Sequence, residues 1–235
     1  MKERSSVFWF FARSTIFYIL GIISLMLVSE AILFFSVGAY GTIIDRVIDE
    51  RRIGIAFKCA IALSTLVLCL PGRITRSRTD YTLKRLRISE NEVLLMHFVY
   101  NTLVYFIIFA VQIVFALVIC ACKINAMDPA LVSEQTMLLT FYKSDFLHSL
   151  LPLLDIKLWI RNIILIMMLG LSSAFFPYVQ RRKKFSSLAL FSVIYVFFWF
   201  EQGLDSGIHL FFTALIFVIM ILHIIYIAKG EENDA

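Results

Sequence analysis

The feature that most constrains this chain is a series of apolar runs, several of them about 18 residues or longer and so long enough to cross a bilayer. In hydrocarbon every backbone N–H and C=O must find a partner within the protein. That leaves helices or a closed barrel. Barrel strands alternate apolar and polar residues in pieces of about 10. The runs here are longer and apolar on all sides, so they read as helices. Composition agrees: 60% of the 235 residues are hydrophobic, 23 are Phe, and mean hydropathy is +0.87. Soluble domains stay near half apolar. The chain is expected to be an all-α integral membrane protein forming one transmembrane domain over 1–235.

Six spans are expected, near 15–41, 53–71, 93–120, 160–179, 185–200 and 207–228. The first is too long for a signal-peptide core, lacks a small-x-small cleavage site and is followed by further spans. It is expected to remain as an anchor, with Val7 to Phe11 forming a short interfacial helix or its first turns. Orientation follows from Lys and Arg in the loops. With the N-terminus inside, the inner segments carry fourteen basic residues, among them Lys2, Arg4, Arg13, the cluster Arg73 to Arg87 and the run Arg181 to Lys184. The outer loops carry six: Arg46, Arg51, Arg52, Lys123, Lys143 and Lys157. Both termini are therefore expected in the cytoplasm. The net charge of +5 is a topology signal here and does not imply nucleic-acid binding.

The segment 122–159 is expected outside, with two short helices. Asp128-Pro129 and Ser144-Asp145 are helix-start signals, and FLHSLLPLL is too apolar for a solvated loop. Those helices would either cover a substrate path or pack on the ends of the spans. The four Cys show no C-x-x-C spacing and read as small apolar residues.

No phosphate-binding Gly-x-x-x-x-Gly-Lys-Ser/Thr, no Gly-x-Ser-x-Gly and no His-Glu-x-x-His occurs. No catalytic residue or metal site is assigned. His209 and His223 are fourteen residues apart, on nearly one helix face. A cytochrome b-like haem protein, with His148 and His97 as opposite ligands, is the remote reading of that spacing. The ionisable residues at membrane depth are more informative. Glu30, in SLMLVSEAILFF, and Lys58 fall at similar depths in the outer half, with Gln112 near them. Charge inside a bilayer is costly and by default points to a function. Glu30, Lys58 and Gln112 are expected to form one intramembrane polar site, as an interhelical clamp or as the lining of a transport path.

Between the second and third spans lies RITRSRTDYTLKRLRISENEV. Thr79 or Asp80 can cap a short helix over Tyr81 to Ile88. Ser89 and Glu92 then form a capping box that opens the third span. This helix would lie on anionic headgroups of the membrane lipid or dock on a soluble partner.

Six spans, inner termini and a short charged helix between spans two and three resemble the permease subunits of type 2 ABC transporters, the bacterial exporter class. Thr82-Leu83-Lys84-Arg85-Leu86, followed by Ser89, sits where that class carries its coupling helix. Tyr81 stands where the class usually has Gly. The large outer segment follows the third span here, where familiar members place it between the last two. The resemblance implies ATPase coupling through Tyr81, Thr82, Leu83, Lys84, Arg85 and Leu86. It implies an ATP-binding-cassette partner subunit that holds ATP and Mg, and a second permease copy or paralogue. It also implies a place in the bacterial cytoplasmic membrane and export of an amphipathic or hydrophobic peptide, lipid or drug. An accessory or immunity-type membrane protein that binds partners without transporting is the alternative.

Overall fold

A computed structural model describes residues 2–35, 53–71, 89–125, 135–181, 186–201 and 205–229. All regular structure in them is helical. The helices are α1 (Lys2–Phe35), α2 (Ile53–Cys69), α3 (Glu90–Asn125), α4 (Thr136–Lys143), α5 (Asp145–Leu150), α6 (Ile156–Arg181), α7 (Leu188–Trp199) and α8 (Ser206–Lys229). Four of them, α1, α3, α6 and α8, are long and apolar enough to cross a membrane. The chain thus has the build of a multi-pass α-helical membrane protein.

Two expected spans are shorter than the sequence implies. At 17 residues α2 rises about 26 Å, and at 12 residues α7 rises about 18 Å, against a hydrocarbon core of about 30 Å. Pro71 lies just past the end of α2 and cannot continue a helix. At its start α7 is set by Ser186, whose Oγ accepts the Leu188 N–H at 3.4 Å. Glu201, just beyond its end, is drawn sideways to Lys58. Of the two readings for Val7 to Phe11, the first turns of the long helix describe it: the segment is continuous with α1. No Gly or Pro lies between Val7 and Thr15, and Phe11 stacks on His97 of α3 with ring centroids 4.1 Å apart. The end of the first expected span, 36–41, lies outside the described residues, as does Asp128-Pro129.

Interhelical contacts give the running directions. Thr15 bonds Tyr100 and Glu30 bonds Gln112, so α1 and α3 run in parallel. Thr65 bonds Tyr105 while Phe57 packs on Phe109, so α2 runs against α3. Asn101 bonds Ser173 and Asn91 bonds Tyr178, so α6 runs against α3 as well. Ser172 bonds Ser192 and Arg161 bonds Phe200, so α7 runs against α6; Tyr195 bonds Thr213 and Trp199 meets His209, so α8 runs against α7. These hydroxyl and amide contacts are the usual cross-helix adhesive where neighbouring apolar surface gives no hydrophobic gain.

The core is the α3–α6 crossing. Gly170 makes it close: a methyl there would run into the Thr102 side chain and lie 3.0 Å from its Cα. Pro177, inside α6, cannot donate to the Ser173 carbonyl four residues earlier. The Cys69 thiol of α2 donates to that carbonyl across 3.7 Å. A freed backbone acceptor is thus satisfied from a neighbouring helix, as a Pro within a membrane helix requires.

Local caps behave as the sequence implies. Ser89 Oγ accepts the Glu92 N–H at 3.3 Å at the start of α3, and Ser144 Oγ accepts the Leu147 N–H at 3.4 Å at the start of α5. Of the two readings for the outer segment, packing describes α5: Phe146, Leu147 and Leu150 are buried against the ends of α2, α3 and α7.

Candidate functional site

The buried residues Glu30, Lys58, Gln112, Arg161 and Asn162 lie toward the end of the bundle where α2 begins and α7 ends. Three sets of contacts meet there around an aromatic knot of Phe57, Phe109, Phe146 and Phe200, whose ring centroids lie 5.1 to 6.5 Å apart.

The first set joins α1 to α3. Gln112 Nε2 donates to Glu30 Oε2 at 2.9 Å, and both residues are buried to 1% exposure. The remaining oxygens, Glu30 Oε1 and Gln112 Oε1, have no hydrogen-bond partner among the described residues. Both residues line a cavity of about 20 Å³, closed by Phe146 and Leu147 of α5.

The second set corrects the expected pairing of Lys58 with Glu30. Lys58 Nζ lies 2.7 Å from Glu201 Oε2, and the ammonium also sits 5.7 Å from the centre of the Phe197 ring. The helices decide this. Residue 58 lies little more than a turn into α2, and the end of α7 comes down beside that turn. Gly54, one turn before Lys58, lets Glu201 approach: a methyl at Gly54 would collide with the Glu201 carboxylate and lie 2.7 Å from the Phe146 ring.

The third set centres on Arg161, at the edge of the expected span 160–179. The side chain is 1% exposed and forms no ion pair among the described residues. Its guanidinium donates to the Ser149 carbonyl at 3.0 Å, the Phe200 carbonyl at 3.4 Å and Asn162 Oδ1 at 2.8 Å. It also lies 5.2 Å from the centre of the Phe200 ring. Asn162 Nδ2 donates to the same Ser149 carbonyl at 2.9 Å.

Both cations meet the end of α7, Arg161 at a backbone carbonyl and Lys58 at a carboxylate. At about 18 Å, α7 ends inside the bundle, and so does the short α5. Helix C-termini carry unpaired carbonyls and partial negative charge. Arg161 supplies donors to both ends. Lys58 holds Glu201, the residue after Phe200 at the α7 C-cap. The hint in the sequence is the polar pair Arg161-Asn162 inside WIRNIIL, and Glu201 directly after FWF.

The proposed coupling residues Tyr81, Thr82, Leu83, Lys84, Arg85 and Leu86 lie outside the described residues. Among the described residues no three His, Cys, Asp or Glu converge to hold a metal. His97 is covered by the Phe11 ring, and His209 lies against Trp199 with centroids 6.4 Å apart. Cys69 and Cys120 are buried as expected, whereas Cys59 and Cys122 are exposed.

No protein-family model, curated protein or solved structure matches the chain.

Proposed function

We propose that the chain is the transmembrane permease subunit of an ATP-driven exporter in the bacterial cytoplasmic membrane, with six crossings and both termini in the cytoplasm. It would move an amphipathic or hydrophobic substrate, and a separate subunit would hydrolyse ATP. One observation carries the reading. The 36-residue α3 rises about 54 Å, well beyond a hydrocarbon core of about 30 Å, and begins directly after the basic segment Arg73 to Ile88. One continuous helix therefore leads from the segment that would meet a motor to Gln112, the partner of Glu30. Displacement of its capped end at Ser89 would reach the buried polar pair without a hinge. The alternating helix directions support the same layout, since they bring the starts of α1 and α3 and the end of α6 to one end of the bundle.

The chain carries no phosphate-binding loop, so the energy source must be a partner. The driving step would be a rigid-body change biased by that partner's ATP-bound state. Lys58 and Arg161 are engaged by internal contacts, and the cavity at Glu30 has room for about one water. A substrate path would therefore run between two permease copies, with Glu30, Lys58 and Gln112 holding the helices that border it. The same closed interior favours the second reading, an accessory or immunity-type protein that binds partners without transport.

Purification from native membranes after mild crosslinking separates the two. The exporter reading expects an ATP-binding-cassette ATPase to co-purify, and expects Leu83→Asp with Leu86→Asp to release it. An ATPase that stays bound to the double variant overturns the docking assignment. Recovery of the chain without any ATPase overturns the exporter reading.

A further inference from the structure

The Glu30–Gln112 contact is incomplete in a specific way. An ionised carboxylate only accepts hydrogen bonds, and a primary amide has two N–H donors and one acceptor oxygen. Here one amide N–H reaches Glu30 Oε2 at 2.9 Å. Two acceptor oxygens of the same pair, Glu30 Oε1 and Gln112 Oε1, are left buried with no donor. Both residues face the same cavity of about 20 Å³. Buried polar atoms are rarely left unpaired, and each exception calls for an explanation.

We propose that Glu30 is a proton-binding site within the membrane, and that with Gln112 it forms a neutral acid–amide pair joining α1 to α3. A single proton on Oε1 turns that atom into a donor. It can then serve Gln112 Oε1, either directly or through one water in the cavity, whose volume suits about one water. Both orphaned oxygens are satisfied by one proton, and no charge remains in the bilayer interior.

Among the described residues, the groups around the pair leave the carboxylate no other counter-charge. From α2, Lys58 is held by Glu201. From α3, Cys120 is the titratable residue lining the cavity. On α5, Asp145 is exposed and His148 half-buried, and Phe146 and Leu147 are the residues that face the cavity. On α6, Arg161 is committed to two carbonyls and Asn162. A metal cation in place of the proton would need several oxygen ligands, whereas the rest of the lining is apolar apart from Cys120. Loss of the proton would set unpaired acceptors against each other across the α1–α3 contact, so helix packing would respond to proton occupancy. The two buried acceptors call for a donor whether or not the chain exports.

Infrared spectroscopy on the full-length protein in lipid nanodiscs tests it. At pH 7 the wild type is expected to show a protonated-carboxyl C=O band, above the amide region and shifted in D2O, that disappears in Glu30→Gln. An unchanged difference spectrum overturns the proposal. Should Glu30→Gln fail to assemble, Gln112→Ala gives the second readout. Removing the amide must shift the carboxyl band, and a band that stays in place overturns the pair.

Discussion

Glu201 and Lys58 lie 143 positions apart in sequence and 2.7 Å apart in the fold, with the lysine side chain 9% and the glutamate side chain 28% exposed. That asymmetry sets an order of effects. Glu201→Gln removes the counter-charge of a largely buried ammonium while keeping one acceptor oxygen. Because the pair is part-exposed, its cost is expected to fall below that of a fully buried pair, about 3–5 kcal/mol. Lys58→Met leaves a carboxylate that can turn toward its more exposed side, so its cost is smaller. The double variant is expected to recover most of the loss. Thermal melts of the four proteins in detergent measure this, and strictly additive losses would show that the pair is not coupled.

Gly54 makes room for that ion pair. Gly54→Ala is expected to destabilise by about 1–3 kcal/mol, the usual range for overpacking, because the methyl meets both Glu201 and Phe146. Adding Glu201→Ala should relieve part of the strain. A Gly54→Ala protein that melts with the wild type would contradict the close approach.

Arg161→Met keeps much of the side-chain volume and removes the donors to the Ser149 and Phe200 carbonyls. Asn162 still serves Ser149, so the Phe200 carbonyl and Asn162 Oδ1 are the acceptors that lose their donor, at about 1–3 kcal/mol each. For a chain of this size that is a fall in Tm of about 2–4 °C per kcal/mol. Arg161→Lys is expected to recover only part of it, since one ammonium lacks the planar fork that reaches both carbonyls. Protease cutting after α5 should rise in parallel, because Arg161 ties that helix down.

The thiol that replaces the missing Pro177 N–H offers a compensation test. Cys69→Ala leaves the Ser173 carbonyl without that donor and is expected to cost about 1 kcal/mol. In a Pro177→Ala background the backbone N–H returns, and the same Cys69→Ala change should cost less. Equal losses in the two backgrounds would remove the thiol from this role.

Asp155 supplies a pH signature at the start of α6. Slight burial pushes its carboxyl up, but bonds from Ser206 and from the Lys157 and Leu158 backbone, with the Lys157 charge, outweigh this and hold it below the usual carboxylate range. A depressed folded value contributes stability that is present above the unfolded pKa of about 3.9 and is lost as pH falls through the folded value. Asp155→Asn should therefore lower Tm slightly at neutral pH, since the carboxylate is mostly exposed and its charge contacts are screened by solvent, and the gap to wild type should narrow in acid. A gap that does not narrow as pH falls below the unfolded value of about 3.9 would assign the effect to another cause.

Some of this was local enough to read from the chain. Ser89 and Ser144 start helices because a hydroxyl one residue ahead of a run can reach an N–H three residues on. Pro71 stops one because it has no N–H to give. The depth of Glu30 and Gln112 followed from counting residues at a fixed rise, and they do meet. Depth alone did not say which of two nearby carboxylates Lys58 would reach. Arg161 looked like a residue at a span edge because nothing in WIRNIIL says that two helix ends stop beside it.

The sequence by itself determined that the chain is helical and apolar enough to cross a membrane several times, because backbone groups in hydrocarbon must be bonded within their own segment. Tertiary structure decided which helix ends are neighbours. A carbonyl left open at the end of α7, or freed by Pro177, must take its donor from whatever helix lies beside it. Lys58, Arg161 and Cys69 acquire their partners from that adjacency, which no run of residues encodes alone.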